Sequence, residues 1–150
     1  MKTVTMIFAL VLLGSNLYAQ QEVETTDKQF EAAFKAQNME AMFKCISPDC
    51  VIYGTDPTEK WNATQFRNMV ENGIKNGMPT WSVISREILP INENSCVVIK
   101  KISWAIFKTE LREMTVYEKQ KEGWKIKVVS INLTLPNNKT NAINEIMGGK

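Results

Sequence analysis

From Thr80 onward the hydrophobic residues stop recurring every three or four positions and begin to alternate, and this change of period constrains the fold more than any other feature. Thr80 to Leu89, Ser95 to Lys108, Leu111 to Lys119 and Trp124 to Thr134 are rich in β-branched and aromatic residues. The links between them are short and turn-like: Pro90-Ile91-Asn92-Glu93-Asn94, Lys108-Thr109-Glu110 and Gln120-Lys121-Glu122-Gly123. Four long strands joined this way form an antiparallel meander. Pro136 ends it. Residues 135–150 read as a polar tail with a short helix expected over 141–147. The stretch Ser95 to Lys108 is apolar on both alternating faces, with Val98, Ile102, Trp104 and Ile106 against Val97, Ile99, Ala105 and Phe107. One face can cover helices. The other would be an exposed apolar patch unless a second subunit covered it, so a two-fold homodimer through the sheet is expected.

Before Thr80 the period is helical. Thr26 or Asp27 can cap a first helix carrying Phe30, Ala33 and Phe34. Asn38 can cap a second, with Ala41, Met42, Cys45 and Ile46 on one face, ended by Ser47-Pro48-Asp49. Cys50 to Tyr53 reads as a short strand that stops at Gly54. Asp56-Pro57-Thr58-Glu59 has the layout of a helix start, and Asn62 with Gln65 repeats it. A short turn followed by a longer helix with the stripe Phe66, Met69, Val70, Gly73 and Ile74 accommodates both. The expected class is α+β: a cone-shaped curved antiparallel sheet of four long strands plus a short first strand, packed on about three N-terminal helices. The open end of such a cone is the default place for a ligand.

Lys2, the apolar run Val4 to Leu13 and the small-residue stretch up to Ala19 have the layout of a secretory signal peptide cleaved after Ala19, which predicts a secreted or periplasmic protein. The run is too short for a comfortable membrane span, so none is expected in the mature chain. The chain then divides into a signal peptide (1–19), a loose segment (20–26), one folded domain (27–134) and the polar tail (135–150). Eighteen basic residues against sixteen acidic ones give a net charge of +2, too weak to imply nucleic-acid binding. There is no histidine, which excludes imidazole-based nucleophilic catalysis and removes the commonest metal ligand. Cys45, Cys50 and Cys96 are odd in number and read as small buried apolar residues, with a Cys45–Cys50 bridge left open. No metal site or cofactor is expected.

Three stretches resemble a known family. Gln37-Asn38-Met39-Glu40-Ala41 leading to Ser47-Pro48-Asp49-Cys50-Val51 is one. Gly54-Thr55-Asp56-Pro57 with Glu59 and Trp61 is the second. Leu111-Arg112 with Thr115-Val116, followed by Gly123-Trp124-Lys125-Ile126, is the third. Together, over Asp27 to Asn132, they resemble the SnoaL-like family of the nuclear transport factor 2-like superfamily, which includes ketosteroid isomerases and polyketide cyclases. The resemblance implies a conical pocket fold and dimerisation through the sheet. Many members end the last strand with a histidine and then a serine. Ser130 and Asn132 take those positions here, so a mechanism relying on that imidazole is lost.

The resemblance does not assign a carboxylate of this chain to the family's base position, and Glu110, Glu113 and Glu118 are candidates only by default. Asp56 and Glu59 are weak catalytic candidates, as an acid/base pair at a pocket rim, and equally complete a helix start. Glu110, Glu113 and Glu118 are strand residues of a kind most often solvated. Trp61 and Trp104 can stack on a planar ligand, Tyr53 can donate a hydrogen bond into a cavity, and Arg112 can hold a carboxylate; packing roles compete with each. Tyr53, Trp61, Trp104, Arg112, Ser130 and Asn132 form the expected ligand-binding set. The reading is an exported pocket domain that binds a small apolar or aromatic ligand without assignable catalysis. The alternatives are an isomerase- or cyclase-like proton-transfer enzyme and a self-associating interaction module.

Overall fold

The computed structural model describes residues 2–148, with side chains from Tyr18. Met1, Gly149, Lys150 and the side chains of the expected signal peptide before Tyr18 lie outside the described residues. The chain runs α1 (Lys2–Lys35), α2 (Met39–Lys44), β1 (Ile46–Tyr53), β2 (Lys60–Asn62), α3 (Ala63–Lys75), β3 (Trp81–Asn92), β4 (Ser95–Trp104), β5 (Leu111–Gln120), β6 (Gly123–Leu133), a 3-10 turn (Asn137–Lys139) and α4 (Thr140–Ile146). The six strands form one sheet in the order β2-β1-β6-β5-β4-β3. The meander β3 to β6 is antiparallel throughout. β1 joins it parallel to β6 and pairs back with β2. This is the expected α+β architecture, with one additional short strand.

Alternation decides which face of the sheet is covered. In β4, Cys96, Val98, Lys100 and Ile102 are buried; in β5, Leu111, Glu113, Thr115 and Tyr117 are. Those rows pack against Val23, Phe30, Ala33 and Phe34 of α1 and Val70 of α3. Each fully buried aliphatic side chain in that layer contributes about 1.5–3 kcal/mol.

Four local expectations are corrected. Residues 20–26 are helical, part of α1, and Val23 is fully buried. Val23, Asp27, Phe30 and Phe34 recur at helical spacing, so one face of the helix is held on the sheet although little else in 20–26 is apolar. Ser47-Pro48-Asp49 lies inside β1, where the pairing with β6 shifts register, rather than between α2 and a later strand. Asp56 to Glu59 forms a turn into β2, not a helix start. β4 ends at Trp104, short of Lys108. The second helix start is as expected: Asn62 Oδ1 accepts from Gln65 N at 2.9 Å, and Asn62 N donates to Gln65 Oε1 at 3.0 Å. The three cysteines are free and buried. Burial, with Asp49 adding to it, pushes the Cys50 thiol up to about 12.

Candidate functional site: an aromatic cavity inside the cone

The sheet, α1 and α3 leave a cavity of about 150 Å³ beside the β1–β2 turn and the connection after β4. Its walls are largely aromatic: Phe34, Trp61, Phe66, Trp81, Trp104 and Phe107. Phe34 stacks on Trp81 with ring centroids 5.1 Å apart. Trp61 and Phe66 lie 6.4 Å apart, and Trp104 and Phe107 5.8 Å. Trp81 and Trp104 face each other in register across β3 and β4. The Trp104 indole N–H donates to Pro79 O at 2.7 Å, which fixes the ring where α3 has just ended. A smaller space of about 30 Å³ shares Phe34, Ile52, Phe66, Trp81 and Ile131 with the cavity and reaches Glu113. A wider furrow of about 600 Å³ runs along α1 and α2 beside Gly123 to Lys125. It is open, mostly small-walled and polar-rimmed, and lacks the enclosed aromatic walls of a ligand pocket.

The cavity's mouth carries one carboxylate. The β1–β2 turn is closed by Gly54 N donating to Glu59 O (3.1 Å) and Glu59 N donating to Asp56 O (3.0 Å). Asp56 N donates to Glu59 Oε2 at 3.0 Å. The Glu59 side chain lies against Gly54 where any Cβ would collide with it, so the turn requires glycine there. Among the described residues Glu59 has no ion-pair partner; neighbouring Lys60 lies over the Tyr53 ring instead, 5.6 Å from its centroid. Asp56 is exposed and accepts from Thr58 N (2.8 Å) and Thr58 Oγ1 (2.5 Å), bonds that hold its carboxyl below the usual range.

Beyond Glu113 lies a buried ionic cluster. Lys100 Nζ, fully buried, donates to Asp27 Oδ1 at 2.8 Å and to Glu113 Oε1 at 2.6 Å. Arg86 reaches Asp27 Oδ2 at 2.6 Å and Glu31 Oε2 at 2.8 Å. Tyr117 OH donates to Asp27 Oδ1 at 2.7 Å, and Thr115 Oγ1 to Glu113 Oε1 at 2.8 Å. Burial alone would raise the Asp27 carboxyl; Lys100, Tyr117 and Arg86 outweigh it and hold it below its ordinary value. Burial opposes the charge on Lys100, and Glu113 and Asp27 reverse that, so its pKa is raised. The Tyr117 phenol is pushed well up, by burial first and the Asp27 charge second. The cluster therefore ties α1 to β3, β4 and β5, and through Glu113 it borders the smaller space next to the cavity. Among the described residues no three side chains group as metal ligands.

Of the expected ligand-binding set the structure brings Trp61 and Trp104 to the cavity, and of the two catalytic candidates it brings Glu59 there but not Asp56. It places Tyr53, Arg112, Ser130 and Asn132 on the opposite face of the sheet. Ile52 and Ile131 point inward, so their neighbours point out, and Tyr53 pairs with Ser130 and Arg112 with Asn132 on that outer surface. Tyr53 consequently donates nothing into the cavity. The reading of Glu113 as solvated is corrected: it is 3% exposed and faces inward. Sequence reading also passed over Phe34, Phe66, Trp81 and Phe107 as cavity walls and Asp27, Arg86 and Lys100 as one cluster. A signal existed: Lys100 and Glu113 stand on the buried rows of their strands, where a charge needs a partner.

A family model described as a SnoaL-like domain matches residues 23–132. No curated protein matches the chain. Among solved structures, a protein with a cystatin-like fold from Caulobacter vibrioides superposes with a TM-score of 0.69 at 10% identity, covering 87% of this chain and 99% of that one. A nuclear transport factor 2-like protein from Pseudomonas putida gives 0.67 at 8% identity, covering 82% and 92%. A provisionally named ketosteroid isomerase from Shewanella frigidimarina gives 0.62 at 18% identity, covering 75% and 96%. At these identities the likeness shows the fold.

Proposed function

This chain belongs to the SnoaL-like domain family, and we propose that it is an exported protein whose cone binds one small apolar or aromatic molecule. The observation that carries this reading is the enclosed aromatic cavity of about 150 Å³. A space of that size suits a benzene-sized ligand. Six aromatic residues line it, and the pinned Trp104 pre-organises one wall. A thermal-shift screen with benzene, phenol, indole and aliphatic alcohols tests it. A binder present at about 100 times its Kd should add about 2.7 kcal/mol of stability. Trp61→Ala and Trp104→Ala should abolish the shift. No shift for any of these compounds would refute the reading.

A second reading, proton transfer of the isomerase or cyclase kind, is favoured by Glu113. Its carboxylate reaches an apolar space next to the cavity while Lys100 compensates its charge. In that reading Glu113 is the base. Glu113→Gln should then abolish solvent-deuterium incorporation into a bound ketone without displacing it.

Export is supported by the segment Lys2 to Ala19. Cleavage after Ala19 removes one buried residue of α1, Ala19 itself, and retains Val23, Asp27, Phe30, Ala33 and Phe34. The exported protein should have a mass corresponding to a start at Gln20. A two-fold homodimer through the outer sheet face is supported by the cross-strand row Leu89, Val97, Val116 and Val128, with Ile99 and Met114 beside it. Arg112 and Glu118 stand towards opposite ends of β5 on that face, so a second copy applied by a two-fold axis that crosses β5 at right angles sets unlike charges together.

A further inference from the structure

We infer that the ligand class of this cavity is a small organic ammonium ion, with the Glu59 carboxylate as its counter-charge; the inference rests on the pocket reading above. Neither the cavity nor the deeper space has a lysine or arginine in its wall, and each has one carboxylate, Glu59 and Glu113 respectively. The nearest buried cation, Lys100, is engaged by Asp27 and Glu113, lies over the Trp81 ring 5.5 Å from its centroid, and is wholly enclosed, so it compensates Glu113 and Trp81 but not Glu59. Lys60, the cation next to Glu59, is drawn to the outer face by Tyr53. Glu59 therefore stands at the edge of an aromatic enclosure without a compensating charge among the described residues.

Each chemical feature selects in the same direction. The face of an aromatic ring carries partial negative charge and attracts a cation within about 6 Å of its centroid. Phe34 and Trp81 are stacked on each other and Trp81 already has Lys100 over its ring, so the rings left for a bound cation are Trp61, Phe66, Trp104 and Phe107; together they replace the hydration of an alkylammonium, whose methyl groups also fill the apolar space. A carboxylate at the rim adds the full charge in surroundings less screened than bulk water. An anionic ligand meets the opposite: repulsion from Glu59 and from the face of any ring it rests on. A neutral apolar ligand of equal size gains the contact area but neither electrostatic contribution. Glu59 is held for this role by the β1–β2 turn, since Asp56 N bonds Oε2 and Gly54 provides the room.

The test compares choline with its uncharged carbon analogue, 3,3-dimethylbutan-1-ol, by calorimetric titration of the purified full-length chain and of Glu59→Gln. Glutamine keeps an acceptor for Asp56 N, so the turn is retained. Choline should bind at least about tenfold more tightly than the alcohol to the unaltered protein. Glu59→Gln should remove most of that preference, read as the ratio of the two affinities within the same variant. Equal binding of the two, or preference for the alcohol, overturns the ammonium inference and leaves the pocket reading standing. A preference that survives Glu59→Gln overturns the assignment of Glu59. Binding of neither overturns the inference and counts against the pocket reading itself.

Discussion

At Lys100 a fully enclosed ammonium meets two carboxylates from different elements, Asp27 of α1 and Glu113 of β5. An ion so placed is stable only while paired, because the cost of desolvation outweighs what either partner alone returns. Lys100→Met should therefore lower stability by about 3–5 kcal/mol, read as a fall in the urea midpoint, since it leaves Asp27 and Glu113 short of their cation. The same cluster sets a pH dependence. The folded pKa of Asp27 lies below its unfolded value of about 3.8. Its contribution is thus complete above about pH 5 and is lost as pH falls through the folded value. Lys100, raised above 10.5, contributes fully at lower pH and loses its contribution only as pH rises through its own folded value. Stability should be level between these limits, and Asp27→Asn should flatten the acid decline; an unchanged decline would place it elsewhere. These residues were individually visible in the sequence, but not their meeting. Lys100 lies 73 positions from Asp27, and strand alternation gives the face of a residue, not the partner across the core.

Elements were legible where period and punctuation agreed. The meander, its turns and the Asn62–Gln65 capping box all follow from local chemistry, because alternation, turn residues and caps act within a few positions. Asn62→Ala should cost about 1 kcal/mol without altering the denaturant slope. The misread elements are those fixed by distant contacts. Asp56 to Glu59 has helix-start residues, yet the chain extends because Lys60 to Asn62 pairs with β1. Residues 20–26 look loose by polarity, but Val23 is fully buried and helical spacing links it to Asp27 and Phe30. Two truncations separate these views. A chain starting at Gln20 should keep the stability of the full-length protein. One starting at Asp27 loses Val23 and about two turns of α1, and should be less stable by about 2–5 kcal/mol. Equal urea midpoints for the two would contradict the role given to α1.

The molecule as a whole has two apolar surfaces on one sheet, one covered by helices and one exposed. The inner face, with α1 and α3, encloses the cavity and the ionic cluster. The outer face carries Tyr53, Leu89 and Met114, each about two-fifths exposed. If a second copy covers that face, Val116→Lys should convert a dimer to a monomer in light scattering and leave ligand binding intact, because Val116 points away from the cavity. A monomeric unaltered protein at micromolar concentration would contradict this. The cone was readable from element order alone. Its contents were not, since a wall built from Phe34, Trp61, Trp81 and Phe107 draws on four separate stretches of chain. The central claim, that the cone holds a ligand, has a direct measurement in the four indole N–H signals of the protein. Trp61, Trp81 and Trp104 line the cavity, while the Trp124 indole donates to Glu22 at 3.1 Å and lies outside it. On titration with any compound that raises the melting temperature, the account predicts shifts in the first three signals and none in Trp124. Movement of Trp124 alone, or no movement of the other three, would contradict it.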